Sequence, residues 1–143
     1  MAFTGNHVCT SYKAELLQGL HDFTTSSGDA FYLALYDDNA TLTTATTVYS
    51  TTDEVTGTGY TAGGKLLTNI TPTSSGTVGF ADFADLTFST VSITTRGGLI
   101  YNSTNGNRAC FVLDFVTNQT KTAADFVVTM PTADALNAIA RVQ

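Results

Sequence analysis

Hydrophobic positions near the start of the chain repeat with the period of an α-helix. In "TSYKAELLQGLHDF", residues 10–23, the residues Tyr12, Leu16, Leu20 and Phe23 follow one another at steps of four, four and three. This spacing places the four side chains on one face of a helix. The pattern therefore predicts a helix around residues 11–23, with its apolar face against other apolar residues.

Residue types at the two ends of this segment support the same prediction. Thr10 or Ser11 is a suitable N-cap, because its hydroxyl can accept a hydrogen bond from a free N–H of the first turn. Gly19 lowers helix propensity by up to about 1 kcal/mol relative to alanine, so packing must supply most of the stability. The polar run "TTSSGD" at 24–29 ends the helix.

From residue 30 onward the hydrophobic period is two, which is typical of strands. "AFYLALYD" at 30–37 predicts a buried strand, and "TTVYSTTDEV" at 46–55 predicts a weaker, more exposed one. Turn-forming residues separate further candidate strands at 78–83, 85–88, 91–95, 98–102, 108–116, 125–130 and 137–142. The Asn105–Gly106 pair is the strongest hairpin signal in the chain.

This order of elements predicts an all-β fold: an antiparallel β-sandwich or jelly roll of about eight strands with one N-terminal α-helix. We expect a single domain over 1–143, in which residues 1–29 form an arm and helix and 30–143 form the sandwich body. Composition agrees, because threonine makes up roughly a fifth of the chain and favours strands.

The net charge of the chain and the distribution of its basic residues exclude some classes of function. The formal net charge is −6, and the basic residues are scattered along the chain: Lys13, Lys65, Arg96, Arg108, Lys121 and Arg141. Nucleic-acid binding needs clustered cations, so we expect no direct contact with DNA or RNA. We expect no membrane span either, and the N-terminal residues lack the pattern of a secretion signal.

The segment "GTGYTAGGKLL" at 57–67 has the G-x-x-x-x-G-K spacing of a phosphate-binding loop at Gly59, Gly64 and Lys65. Leu66 occupies the position where such loops carry Ser or Thr for Mg²⁺, and no helix pattern follows. We therefore interpret the glycines as a mobile loop or as positions of positive φ, in a loop that contacts a neighbouring surface.

Other candidate chemistry is sparse. Cys9 and Cys110 could pair, but reduced and buried thiols are the favoured interpretation. His7, Cys9, His21 and Cys110 could supply a two-His, two-Cys zinc site, but their H-x-C spacing lacks the paired C-x-x-C of such sites. Asp37 with Asp38, and Asp82 with Asp85, could pair as acid and base or bind calcium, but acidic residues at strand ends are more typical of solvated turns. We predict no catalytic, cofactor or metal site.

Arg96 stands alone in "TTRGGLIY", beside two glycines. A single arginine in a strand of this kind is typical of an ion pair with a carboxylate. We predict a structural salt bridge for Arg96, within the chain or between subunits.

Several strings resemble a family of small structural proteins of tailed bacteriophages. They are "EVTGTGYTAGGKLLT", "FADFADLTFSTVSITTRGGLIYN", "NRACFVLDF" and "FVVTMPTADALNAIARV", and the likeness spans roughly residues 30–142. The resemblance implies a non-enzymatic virion protein, and the role that we expect first is that of a cement or decoration protein that stabilises the capsid shell. The alternatives are a tail or fibre-attachment module and a carbohydrate-binding β-sandwich.

The expected partners are the major capsid protein and further copies of this chain, as a homodimer or homotrimer. High apolar content with few charges favours self-association. The glycine-rich loop and the N-terminal segment before Thr10 are the predicted contacts, because a glycine-rich loop can follow a partner surface and a terminal arm can reach outward. The residues are Gly57, Gly59, Tyr60, Gly63, Gly64, Lys65, Phe3 and His7.

Overall fold

A long antiparallel hairpin organises the computed structural model, which describes residues 3–143. The elements are β1 (His7–Val8), α1 (Thr10–Leu17), β2 (Phe31–Tyr36), β3 (Lys65–Leu66), β4 (Asn69–Ser75), β5 (Val78–Phe83), β6 (Leu86–Asn102), β7 (Arg108–Val128) and β8 (Ala140–Val142). The first sheet has five strands in the order β1-β7-β6-β2-β3, and the second has three in the order β4-β5-β8. The predicted antiparallel β-sandwich with a short N-terminal helix is confirmed.

Aromatic side chains fill the space between the helix segment and the sheets. Phe23 stacks on Phe31 with ring centroids 4.6 Å apart, and Phe83 lies 5.5 Å from Phe31. Tyr12 of α1 packs on Phe111 of β7 at 4.8 Å. These buried aromatic rings join α1, both sheets and the segment after the helix into one core.

The helix is shorter than predicted. It ends at Leu17, and Gly19 follows with a φ of +75°, where a residue with a Cβ would be strained. The Gly19 N–H donates to the Leu16 carbonyl, and the Leu20 N–H donates to the Glu15 carbonyl at 3.0 Å. This is a Schellman motif, so Gly19 ends the helix rather than weakening its middle.

The N-cap prediction was also wrong. Cys9 occupies that position, and its side chain makes no capping hydrogen bond. Leu20 and Phe23, expected on the helix face, lie beyond the helix end, although Phe23 is buried in the core as predicted.

Several predicted strands are parts of two long ones. The segments expected at 85–88, 91–95 and 98–102 form the single strand β6, and those at 108–116 and 125–130 belong to β7. The register between β6 and β7 shifts at several points, and the shifts between Phe88 and Val91 and between Thr95 and Gly97 coincide with the polar interruptions that resemble turns in the sequence. The hairpin turn at Asn105–Gly106 is confirmed.

Residues 46–55 do not form the predicted strand. The segment makes only isolated bridges, Val48 with Arg108 and Tyr36 with Glu54. Strands β1, β3 and β4 were not predicted, because two-residue strands depend on their partners and because β4 is almost entirely exposed. A period of two appears in a sequence only where one face of the strand is buried and the other is exposed.

Candidate functional site

A wide groove separates helix α1 from the second sheet. Its volume is about 1010 Å³. One wall comes from β1, α1 and β7 through residues such as Val8, Leu16 and Phe111, and the other from β5 and β8 through residues such as Phe80 and Val142. The groove is therefore an opening between the two layers of the sandwich, where apolar core residues reach solvent.

Leu17 forms an exposed apolar edge of this groove. As the last residue of α1, it is 90% exposed, whereas Leu16 is half-buried against the core. The Schellman motif at Gly19 stops the helix there, so no further turn covers the Leu17 side chain. Val142 of β8, which also lines the groove, is 59% exposed. Large apolar side chains that line one groove and face water are typical of a docking surface.

His21 lies at the base of the groove, and its side chain is fully buried. Its Nε2 atom lies 2.8 Å from a carboxylate oxygen of Glu15, and its Nδ1 atom lies 3.0 Å from the amide nitrogen of Asn102. Since the Asn102 nitrogen can only donate, Nδ1 accepts and Nε2–H donates to Glu15. The other oxygen of Glu15 accepts from Arg108 at 2.9 Å. This network fixes the segment after α1 against the hairpin.

The thiol of Cys110 lies beside the same histidine, with Sγ 3.8 Å from His21 Nδ1. The order Cys110, His21, Glu15 resembles a nucleophile with its base and orienting group. However, Cys110 is fully buried, and burial raises the pKa of its thiol well above the ordinary value. Burial likewise raises the pKa of Cys9 to about 11. Both residues are free thiols in the core, as the sequence favoured.

The four residues considered for zinc, His7, Cys9, His21 and Cys110, are not arranged as a metal site, although Cys110 lies beside His21. His7 lies in β1, where its ring nitrogen pairs with the Thr4 hydroxyl at 3.0 Å. Among residues 3–143, no group of three or more His, Cys, Asp or Glu side chains is arranged to hold a metal ion.

The glycine-rich loop lies against its own sheet. Side chains at Gly57, Gly59 and Gly64 would overlap backbone atoms of β6 or β2, and Gly59, Gly63 and Gly64 have positive φ as predicted. The glycines are thus explained by close approach within the chain. Lys65 lies in β3, where its ammonium donates to the Thr87 carbonyl at 2.5 Å.

Glu54 fixes this loop through hydrogen bonds to its buried carboxylate. Its buried carboxylate accepts hydrogen bonds from the Tyr60 hydroxyl at 2.6 Å, the Gly63 N–H at 2.7 Å and the Tyr49 hydroxyl at 2.7 Å. The Tyr60 hydroxyl therefore bonds within the chain and is not free for a partner. Gly57, Gly59 and Lys65 remain exposed, so the partner contact of this loop stays a prediction.

The N-terminal segment is part of the fold over its described residues. Phe3 is 1% exposed, and β1 pairs with β7, so regular structure begins before Thr10. Residues 3–9 therefore do not form the outward-reaching arm that the sequence suggested, and residues 1 and 2 lie outside the described part. His7 is half-buried.

Arg96 forms the predicted ion pair, and it does so within the chain. Its guanidinium contacts Asp114 directly and lies 3.5 Å from Asp38, and its carbon lies 5.6 Å above the ring of Phe3. Burial alone would raise the pKa of Asp114, but hydrogen bonds, chiefly from Arg96, lower it below its usual range. The pair joins β6 to β7, and Phe3 of the N-terminal segment packs against it.

The two aspartate pairs serve local structure. Asp37 accepts from the Asn39 N–H at 2.8 Å, as in an Asx turn. Asp85 accepts from the Met130 N–H at 2.7 Å, and Asp82, whose pKa burial raises, accepts from the Phe83 N–H at 2.8 Å. Solvation was therefore the wrong interpretation for Asp82, which is fully buried.

Sequence reasoning missed the groove. Leu17 stands beside Leu16 in "ELL", but only Leu16 belongs to the predicted apolar face of the helix. The position of Leu17 outside that face was the one indication in the sequence of a second apolar surface. Phe80 and Ile139 were assigned to strands, but nothing in their spacing shows that two layers separate beside them.

Comparison with protein-family models, curated proteins and solved structures found no match for this chain. Within residues 3–143, no helix is long and apolar enough to cross a membrane.

Proposed function

We propose that this chain is a non-enzymatic structural protein of a tailed-phage virion, a cement or decoration protein that binds the major capsid protein and stabilises the shell. The sequence resemblance motivates this class. The groove between α1 and the second sheet is the observation that carries it, because it offers a large apolar surface on a framework with little other candidate chemistry.

The occupant that fits this groove is an apolar segment of a neighbouring capsid subunit. Burying one leucine contributes roughly 1.5–3 kcal/mol, and Leu17 is almost entirely available for such burial. The groove carries both signs of charge at Lys13 and Asp22, so apolar contact rather than charge attraction would supply most of the affinity.

Further copies of the chain would meet at a different surface. Val116 and Val127 of β7 are 74% and 52% exposed, and they lie on a stretch of β7 away from the groove. Apolar side chains beside an unpaired strand edge suit association of identical subunits. We therefore assign the expected homodimer or homotrimer contact to this part of β7.

Purified virions provide the direct test. A cement protein should be present in many copies, and particles that lack it should release DNA at a lower temperature than complete particles. A handful of copies confined to the tail would instead support the tail or fibre-attachment alternative. Equal DNA retention with and without the protein would exclude the cement role.

A matched pair of variants tests the groove itself. Leu17→Gln should weaken binding to shells that lack the protein by about tenfold or more, because it removes apolar area from the contact. Leu136→Gln is the control, since Leu136 is 79% exposed but does not line the groove. Equal co-sedimentation of both variants with shells would show that the groove is not the capsid contact.

A further inference from the structure

We propose that Cys9 and Cys110 form a cross-strand pair that closes into a disulfide by exchange with a small-molecule disulfide such as oxidised glutathione. The bond would tie the N-terminal segment, residues 3–9, covalently to β7. This inference does not depend on the proposed function.

The register of β1 and β7 brings the two cysteines opposite each other. His7 pairs with Val112 and Val8 pairs with Phe111, so the next step of the ladder opposes Cys9 and Cys110. The Cys9 N–H donates to the Cys110 carbonyl at 2.9 Å, which confirms the step. Directly opposed residues of this hydrogen-bonded type have Cα atoms about 5.5 Å apart. Disulfides join Cα atoms about 4.4–6.8 Å apart, so the backbone already has suitable spacing.

Both side chains lie on the same side of the first sheet. Opposed residues of an antiparallel pair project to one face, and both cysteines are fully buried in the core cluster. Rotation of the two side chains together with a small adjustment of β1 would bring the sulfur atoms together.

Access to the thiols requires a local opening. In the closed fold neither sulfur reaches solvent, so a dissolved disulfide cannot attack or be attacked. Strand β1 has only two residues and pairs with β7 alone, at the edge of the sheet. Short edge strands open at a lower free-energy cost than the whole protein unfolds, and opening here exposes Cys9 first.

The exchange then proceeds in two balanced steps. The Cys9 thiolate attacks one sulfur of the small disulfide, forms a mixed disulfide and releases one small thiol. While β1 is still open, so that the adduct on Cys9 remains outside the core, the Cys110 proton passes to Nδ1 of His21, which lies 3.8 Å from Sγ in the closed fold. The Cys110 thiolate attacks the Cys9 sulfur and expels the second small thiolate, which takes up that proton. In total, two protein thiols are oxidised and one small disulfide is reduced to two thiols.

Refolding of the full chain tests this proposal. The unfolded protein is refolded in a buffer with reduced and oxidised glutathione, and the remaining thiols are alkylated under denaturing conditions and counted by mass spectrometry. We expect no free thiols and a linked peptide that contains Cys9 and Cys110. The oxidised protein should melt on the order of 10 °C above the reduced protein, because the bond closes a long loop in the unfolded chain. Dithiothreitol should remove the difference.

The single variants Cys9→Ala and Cys110→Ala are the controls, since neither can close the bond and neither should change its melting temperature on reduction. The central comparison, oxidised against reduced wild type, needs no substitution and is independent of how the variants fold. Natively folded wild type with two free thiols, with glutathione adducts alone, or with cross-links only between chains would overturn the proposal.

Discussion

The β6–β7 hairpin has two halves that differ in the exposure of their β7 side chains and in the regularity of their pairing. We define the inner half as Gly97–Asn102 with Arg108–Asp114, and the outer half as Leu86–Thr95 with Gln119–Val128. In the inner half β2 covers one flank and β1 part of the other, and most side chains are buried. In the outer half most β7 side chains face water, and within residues 3–143 no strand pairs with its far edge.

The difference shows that backbone pairing and core formation are separable along one hairpin. The inner strands read "GGLIYN" and "RACFVLD", whereas outer β7 reads "QTKTAADFVV" and the register shifts repeatedly beside it. Irregular pairing and threonine-rich faces allow a strand edge to remain in water with less risk of uncontrolled pairing. Outer β7 is therefore available for contacts, whereas outer β6 still supplies buried core residues such as Val91 and Ile93.

Truncation of buried and exposed aliphatic residues should give the largest contrast. Ile100 is fully buried in the inner half, so Ile100→Ala should cost about 2–5 kcal/mol through lost burial and a cavity. Val127→Ala in the outer half should change stability by about 0.5 kcal/mol or less. Urea unfolding measures both values, and similar costs would contradict the division into two halves.

The ion pair at the junction should give the next largest effect, and one that depends on pH. Asp114→Asn should cost about 1–3 kcal/mol at pH 7, because it removes the negative charge that pairs with the Arg96 guanidinium. The lowered pKa of Asp114 means that this contribution is complete above the unfolded pKa of about 3.9 and is lost as pH falls through the folded value. Wild type and variant should therefore converge in stability at low pH.

Asp125→Asn serves as the matched control in the outer half, where Asp125 is exposed and accepts a hydrogen bond from the Thr90 N–H. It should cost less than Asp114→Asn in urea unfolding at pH 7. A difference between wild type and Asp114→Asn that stays constant from pH 7 to pH 2 would show that the charge on Asp114 contributes nothing.

The turn that closes the inner half should show a smaller effect. Gly106 has a φ of +72° and open space around its Cβ position, so Gly106→Ala should cost about 1 kcal/mol through backbone strain alone. Gly79→Ala is the control, because Gly79 in β5 has open space and no positive φ. Thermal unfolding of both variants measures the difference. Equal melting temperatures would show that the positive φ at Gly106 does not affect stability.

These contrasts explain why some elements could be predicted from the sequence. The turn at Asn105–Gly106 depends on local backbone chemistry, so two residues were enough to find it. Strand β2 was visible because its run "FYLALY" is almost entirely buried. The ion pair of Arg96 followed from the difficulty of burying a lone cation, although its partners Asp114 and Asp38 could not be chosen from spacing.

Other features depend on contacts between distant segments and left no local pattern. The strands β6 and β7 looked like five pieces, because irregular positions such as Thr90 and Val116 interrupt the alternation without ending the pairing. Residues 46–55 alternate like a strand but make only isolated bridges. The groove arises from the separation of two sheets beside α1, which no sequence period describes.

Two adjacent threonines on β6 provide the comparison with the smallest expected effect. The Thr95 side chain is fully buried and donates to the Tyr36 carbonyl at 2.9 Å, whereas Thr94 is exposed and its hydroxyl lies 3.0 Å from that of Thr120 on β7. Because neighbouring strand residues face opposite sides, the same substitution tests both surfaces at one point of the hairpin. Thr95→Val should cost about 1 kcal/mol of stability, because loss of the hydroxyl removes the donor to the buried Tyr36 carbonyl.

Thr94→Val should change the stability by no more than about 0.5 kcal/mol, because water replaces the lost partner of Thr120. Urea unfolding can resolve this difference, and a larger cost at Thr94 would mean that the face of β6 exposed in the single chain contributes more to stability than the face that lies in the core.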